Sequence, residues 1–189
     1  MVGISNLYMH RVLSALPLKH YRGVYSIDTI PNDLMSQNFL IILNFSPYNT
    51  TGTHFVCLCQ TARAGRQPKI YLFDSLATPF NNLPTLLQQI MSGSNASSIL
   101  QFPIQDLFSE HCGFYAMYFV LFLSLPSQQL QKNFSPTRFT TSASHLLSND
   151  PLCIEMISRM IEAIKEEDKW SKTVCIFFLC RKVFLGMGG

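Results

Sequence analysis

The stretch "PIQDLFSEHCGFYAMYFVLFL", Pro103 to Leu123, decides how the whole chain is read. Polar residues (Gln105, Asp106, Ser109, Glu110, His111) stop abruptly at Cys112-Gly113, and an almost unbroken apolar and aromatic run follows to Leu125. This junction predicts a helix over 112–125 that enters the core at once, leaves its first turn at the surface and stops at Pro126. A helix N-terminus carries unpaired N–H groups and partial positive charge, which favour a thiolate over a thiol. An accessible cysteine placed there is a candidate nucleophile. The same N–H groups supply half of an oxyanion hole, and Gly113 is expected to let a substrate backbone approach closely.

The rest of the composition fits a folded chain. Of 189 residues, 48% are hydrophobic and 13% charged, which excludes global disorder. The length predicts one domain over 1–189. A net charge of +3 is too small to be a nucleic-acid footprint by itself. The six cysteines (57, 59, 112, 153, 175, 180) include no CxxC, and no histidine pair has finger spacing, so neither a metal site nor a redox dithiol is expected. The opening residues are not expected to be a secretory signal, and the run from Phe114 to Leu125 is too short to span a bilayer. The expectation is a reducing compartment with free thiols, the sequons at Asn44, Asn49, Asn95 and Asn133 being chance.

Residues 5–20 predict a short helix, and "YRGVYSIDTIPNDL" (21–34) reads as loop, because Gly, Pro, Asn and Asp gather there. Strands are expected at "NFLIILNFS" (38–46), "HFVCLCQ" (54–60), "KIYLFDS" (69–75) and "SILQFPIQ" (98–105). The alternation of 54–60 puts Phe55, Cys57 and Cys59 on one face and His54, Val56 and Leu58 on the other. Gly65 and Pro68 suggest a hairpin between the second and third strands. A short helix is expected at Asn81–Met91, followed by a turn or loop at "SGSNASS". Another opens with Asp150 as N-cap and Pro151 at the first helical position and runs about four turns. The segment "TVCIFFLCRKVFL" reads equally as helix or strand. The fold class is α+β, a small mixed or antiparallel sheet packed against helices.

A nucleophilic thiol needs a proton acceptor, and His54, at the start of a strand after "TGT", is the best placed of five histidines. Asp74 closes the neighbouring strand and would orient the ring. Gln105, seven positions before Cys112, offers a side-chain amide to a developing oxyanion. Each residue also has a plainer reading: a core thiol, a strand-end histidine, a turn-forming aspartate, a surface glutamine. His111 adjoins Cys112 but would point about 100° away on the helix, and is expected to be exposed.

In this order, with these neighbours, the residues resemble the adenovirus endopeptidase (adenain) family of cysteine proteases. The resemblance spans about 20–126. It rests on Gly52-Thr53-His54, on Tyr71-Leu72-Phe73-Asp74, on Gln105 through Cys112-Gly113, and on Gly23-Val24-Tyr25 with Pro31. It implies a papain-like α+β fold with Cys112 as nucleophile, His54 as base and acid, Asp74 as orienter and Gln105 as oxyanion donor. It further implies a virion and host-nuclear protease that cuts capsid precursors after glycine-type residues, with an activating peptide and DNA as accessory factors and no other cofactor. A monomer with no membrane partner is expected. The chain departs from the family at Asp74, where glutamate is usual, and at Phe55, where tryptophan is usual. It also lacks a cysteine between Cys59 and Cys112 to link an activating peptide.

Rival readings are a protease of ubiquitin-like or SUMO conjugates, an acyltransferase using Cys112, and an inactive interaction module. The interval from Gln105 to Cys112 is one residue longer than the conjugate proteases would have. The terminal "FLGMGG", with Gly186 and Gly189, suits both a cleavage product and a plain tail.

Overall fold

The structure, a computed structural model, describes residues 4–50, 52–61, 68–93, 97–101 and 103–185, with side chains for all but 97–101 and 169–185. Gly65, Asn95, Gly186 and Gly189 lie outside the described residues, and so do the readings placed on them. A five-stranded sheet runs in chain order: β1 (Tyr21–Ser26), β2 (Phe39–Asn44), β3 (Phe55–Thr61), β4 (Lys69–Asp74) and β5 (Ser97–Gln101). The central pairs β2–β3 and β3–β4 are antiparallel, and both outer pairs are parallel. This is the mixed α+β arrangement expected from the sequence, with helices on both faces of the sheet.

Alternation sorts the core into two layers. Leu40, Ile42, Phe55, Cys57, Cys59 and Phe73 face α1 (Asn6–Ser14), α3 (Cys112–Ser124) and α5 (Asn149–Leu185). Phe39, Ile41, Leu43, Val56, Leu58 and Leu72 face Leu83 and α2 (Thr85–Gly93) on the other side. Because β2 is buried on both faces, it needs the continuous apolar run that marks it in the sequence. The short helix α4 (Gln128–Asn133) follows α3. From Tyr115 to Leu121 every residue of α3 is buried, so it is a central helix, apolar all round.

Three expectations are corrected. Tyr21–Ser26 is a strand, not a loop. Its register with β2 shifts between Tyr21 and Gly23, and Gly23 takes φ +137°, so the glycine that suggests a loop instead makes a bulge. The last helix is far longer than four turns, at 37 residues, and its backbone stays helical through the segment that read both ways. Asp150 does not cap it. The helix starts at Asn149, and the Asp150 carboxylate turns toward the loop before α3.

Gly113 also serves packing. A Cβ there would lie 2.2 Å from Ile4 Cγ2 and 3.2 Å from Met9 Sδ, so α1 and Ile4, two residues ahead of it, seat directly on the start of α3. We expect Gly113→Ala to lower the unfolding free energy by about 1–3 kcal/mol, the usual cost of overpacking. Ile4→Ala in that background should restore part of the loss, measured by denaturant titration.

Candidate active site

His54 lies immediately before β3, and Asp74 is the last residue of β4. Their side chains meet at 2.7 Å, His54 Nε2 to Asp74 Oδ1. Asp74 is fully buried, and the turn after β4 satisfies it: the Leu76 N–H donates to Oδ1 at 2.9 Å and the Thr78 N–H to Oδ2 at 2.8 Å. Ala77, at φ 54°, makes that turn tight. The turn-forming and histidine-orienting readings of Asp74 thus hold in one geometry.

The other ring nitrogen of His54, Nδ1, is buried and has no partner of good hydrogen-bond geometry. Cys112 is near enough to act on the ring through hydrogen bonding and charge. Loose contacts of this kind are usual in an unliganded site. Burial pulls the imidazole pKa down, but the hydrogen bonds and attraction of Asp74 and Cys112 outweigh it and set it at about 9. Burial would likewise push the Asp74 carboxyl up, yet His54, Thr78 and the Leu76 N–H together hold it below its ordinary value. Phe45 meets the imidazole edge-on, with ring centroids 5.1 Å apart. It therefore braces the ring, while Phe55 is buried in the core.

Cys112 begins α3 and is half-buried. With His54, Gln105 and Gly113 it lines a cleft of about 650 Å³. Gln105 is buried, and its amide orientation is settled by its partners: Nε2 donates to the Ser109 carbonyl at 2.9 Å, and Oε1 accepts from Ser75 Oγ at 2.6 Å. The four residues picked out by sequence, Cys112, His54, Asp74 and Gln105, therefore converge. His111 does not fit its expectation: its side chain is only 12% exposed, and Nδ1 lies 3.1 Å from Asp150 Oδ2.

Several supporting residues carried no signal in the sequence. Asn44 is buried beside the site, accepts from the Ser46 N–H, and leaves no room for a Cβ at Gly52, which would lie 2.8 Å from its Nδ2. A buried asparagine also suits a chance sequon there. Phe45 and Ser75 reach the site only through chain pairing. Burial pushes the Cys59 thiol up to about 12 and raises those of Cys57 and Cys153 well above their ordinary values.

Among the described residues, no group of three or more His, Cys, Asp or Glu is placed to hold a metal ion. No helix among them is long and apolar enough to cross a membrane. The site is thus a cysteine–histidine–aspartate constellation at a helix N-terminus, set on a mixed α+β fold. No family model matches the chain, and no curated protein matches it. Among solved structures it is similar to HopZ1a, in a crystal structure of HopZ1a in complex with IP6, with TM-score 0.43 and 13% identity. The match covers 75% of this chain and 54% of HopZ1a, so the chain spans about half the length of that protein.

The His54 shift has a testable sign. A pKa raised in the folded state stabilises the fold fully below the unfolded value of about 6.5, and that contribution is lost as pH rises through about 9. Ring NMR should show His54 protonated up to about pH 9 in the wild type. In Asp74→Asn, where the carboxylate's support is gone and burial still opposes the charge, His54 should titrate well below the wild-type value of about 9. The unfolding free energy of the wild type should fall relative to that variant between pH ~7 and ~10.

Proposed function

We propose that the chain is a cysteine peptidase in which Cys112 attacks a peptide carbonyl. The observation that carries this reading is His54, bonded to Asp74 through Nε2 with Nδ1 unbonded, in a cleft that Cys112 and Gln105 also line. Asp74 holds Nε2, so Nδ1 carries the proton that the thiol gives up, and the ring stands as an imidazolium beside the thiolate. Sγ then forms a bond to the carbonyl carbon, and negative charge gathers on the carbonyl oxygen. The unengaged N–H of the Gln105 amide and the first-turn N–H groups of α3 stabilise that charge. As the intermediate collapses, the C–N bond breaks and His54 passes its proton to the leaving amine. Water then adds to the thioester with His54 taking its proton, the C–S bond breaks, and the acid leaves.

The finer reading rests on the family resemblance: an adenain-type, papain-like endopeptidase that cuts capsid precursors after small residues in the virion or host nucleus. DNA and a capsid-derived peptide would act as accessory factors. Without a cysteine between Cys59 and Cys112, such a peptide would have to bind here without that disulfide link.

Iodoacetamide should alkylate Cys112 ahead of buried Cys57, Cys59 and Cys153, and His54→Ala should remove the advantage. In a panel of Gly-Gly peptides, with and without capsid peptide and DNA, cleavage should fall at least about a thousand-fold in Cys112→Ala. It should fall about a hundred-fold in Gln105→Ala. A Cys112 no more reactive than the buried thiols would make this an interaction module. Transfer of labelled acetyl from acetyl-CoA to a protein lysine, with no cleavage, would make it an acyltransferase.

A further inference from the structure

The loop between Gln105 and Cys112 is held in an unusual way. Its apolar side chains do not anchor it: Leu107 is 80% exposed and Phe108 93%. Its shape is set by polar bonds instead. The Phe108 N–H donates to Asp106 Oδ1 at 2.8 Å, the Ser109 N–H to the Asp106 carbonyl at 3.0 Å, and the His111 N–H to Ser109 Oγ at 3.2 Å. These bonds shape the loop within itself. Ser75 ties the Gln105 end to the sheet, and the first two residues of α5 supply further ties to the body of the protein. Asn149 Nδ2 donates to the Ile104 carbonyl at 2.7 Å, just ahead of Gln105. Asp150 takes the other end: Oδ2 accepts from Ser109 Oγ at 2.9 Å and lies 3.1 Å from His111 Nδ1. Its Oδ1 accepts from Tyr115 Oη at 2.9 Å. A nearly buried carboxylate is tolerated there because it has three partners and sits in the first turn of a long helix, where negative charge is favoured.

Ser109 is the residue that couples this brace to the chemistry. Its hydroxyl belongs to Asp150, while its carbonyl holds the Gln105 Nε2. A carbonyl can only accept, so it dictates that the amide points its nitrogen, and not its oxygen, toward Ser109. One N–H is used there and the second is left for a developing oxyanion. A shift of Ser109 by an ångström would misplace that donor, and donor placement at this scale governs rate.

We propose that Asp150 is a positioning residue, acting through Ser109 to set the amide of Gln105, and that the start of α5 is thereby part of the active-site scaffold. This rests on the reading of Cys112 as an acyl acceptor. The test separates two reactions of one thiol in the full-length protein. Iodoacetamide alkylation is a displacement at carbon that needs no oxyanion donor. Acetylation by p-nitrophenyl acetate needs one: Sγ bonds to the carbonyl carbon, an oxyanion forms, and p-nitrophenolate leaves.

Ser109→Ala removes only a hydroxyl, leaving Asp150 bonded to Tyr115. Asp150→Asn removes the charge but keeps one acceptor oxygen. Both should slow acetylation of Cys112 about ten-fold and leave its alkylation within about two-fold of wild type, a split that a general loss of structure would not give. In a Gln105→Ala background neither should add more than about two-fold, because the residue they position is already gone. Unchanged acetylation in Ser109→Ala, a parallel fall in alkylation, or full additivity with Gln105→Ala would each overturn the positioning role while leaving the nucleophile reading intact. If wild-type Cys112 is not acetylated at all, the acyl-acceptor reading fails and this inference falls with it.

Discussion

The arrangement depends first on a buried charge. Asp74 is withdrawn from water completely, and an ionised carboxylate so placed costs several kcal/mol unless its oxygens are bonded. Here the turn after β4 and the ring of His54 fill them. That requirement ties the end of one strand to the start of its antiparallel neighbour, and so fixes where His54 can be. The imidazole is then held from two directions, by Asp74 and by the edge of Phe45, while the bond from Phe45 N–H to the His54 carbonyl at 2.9 Å fixes the backbone that carries it. Its remaining nitrogen has one direction left to face.

The other half of the site has a different physics. Cys112 is placed by apolar packing, because α3 is buried on every side within a turn of its start and cannot slide without opening the core. Gln105 is placed by polar bonds to Ser75 and Ser109, on a loop whose own apolar residues contribute little. The cleft is therefore a meeting of a rigid thiol, a locked imidazole and an amide on a polar framework. Ser75 joins the halves, since its hydroxyl holds Gln105 while its carbonyl accepts the Ile104 and Gln105 N–H groups.

What could be read from sequence follows from these differences. Strands β2, β3 and β4 and helix α3 show plainly, because burial imposes alternation or a continuous apolar run on them. Cys112, His54 and Asp74 stand out because each sits at an element boundary, and Gln105 because it lies seven positions ahead of Cys112. β1 was hidden by Gly23, whose positive φ serves a bulge that composition cannot tell from a loop. The full length of α5 was hidden because its C-terminal part loses the amphipathic pattern. Phe45, Ser75 and Asn44 are ordinary residues whose role comes only from tertiary pairing. His111 misled because helical spacing places it away from Cys112 but is silent on a carboxylate 39 positions further along the chain.

The seating of Ile4 and Met9 over Gly113 has a practical side. Ile4, Ser5, Asn6 and Leu7 form one wall of the cleft that also contains Cys112, so the beginning of the described chain lies beside the nucleophile. A substitution that moves Ile4 or the start of α1 therefore reshapes that cleft as well as the packing over Gly113, because the same short segment serves both.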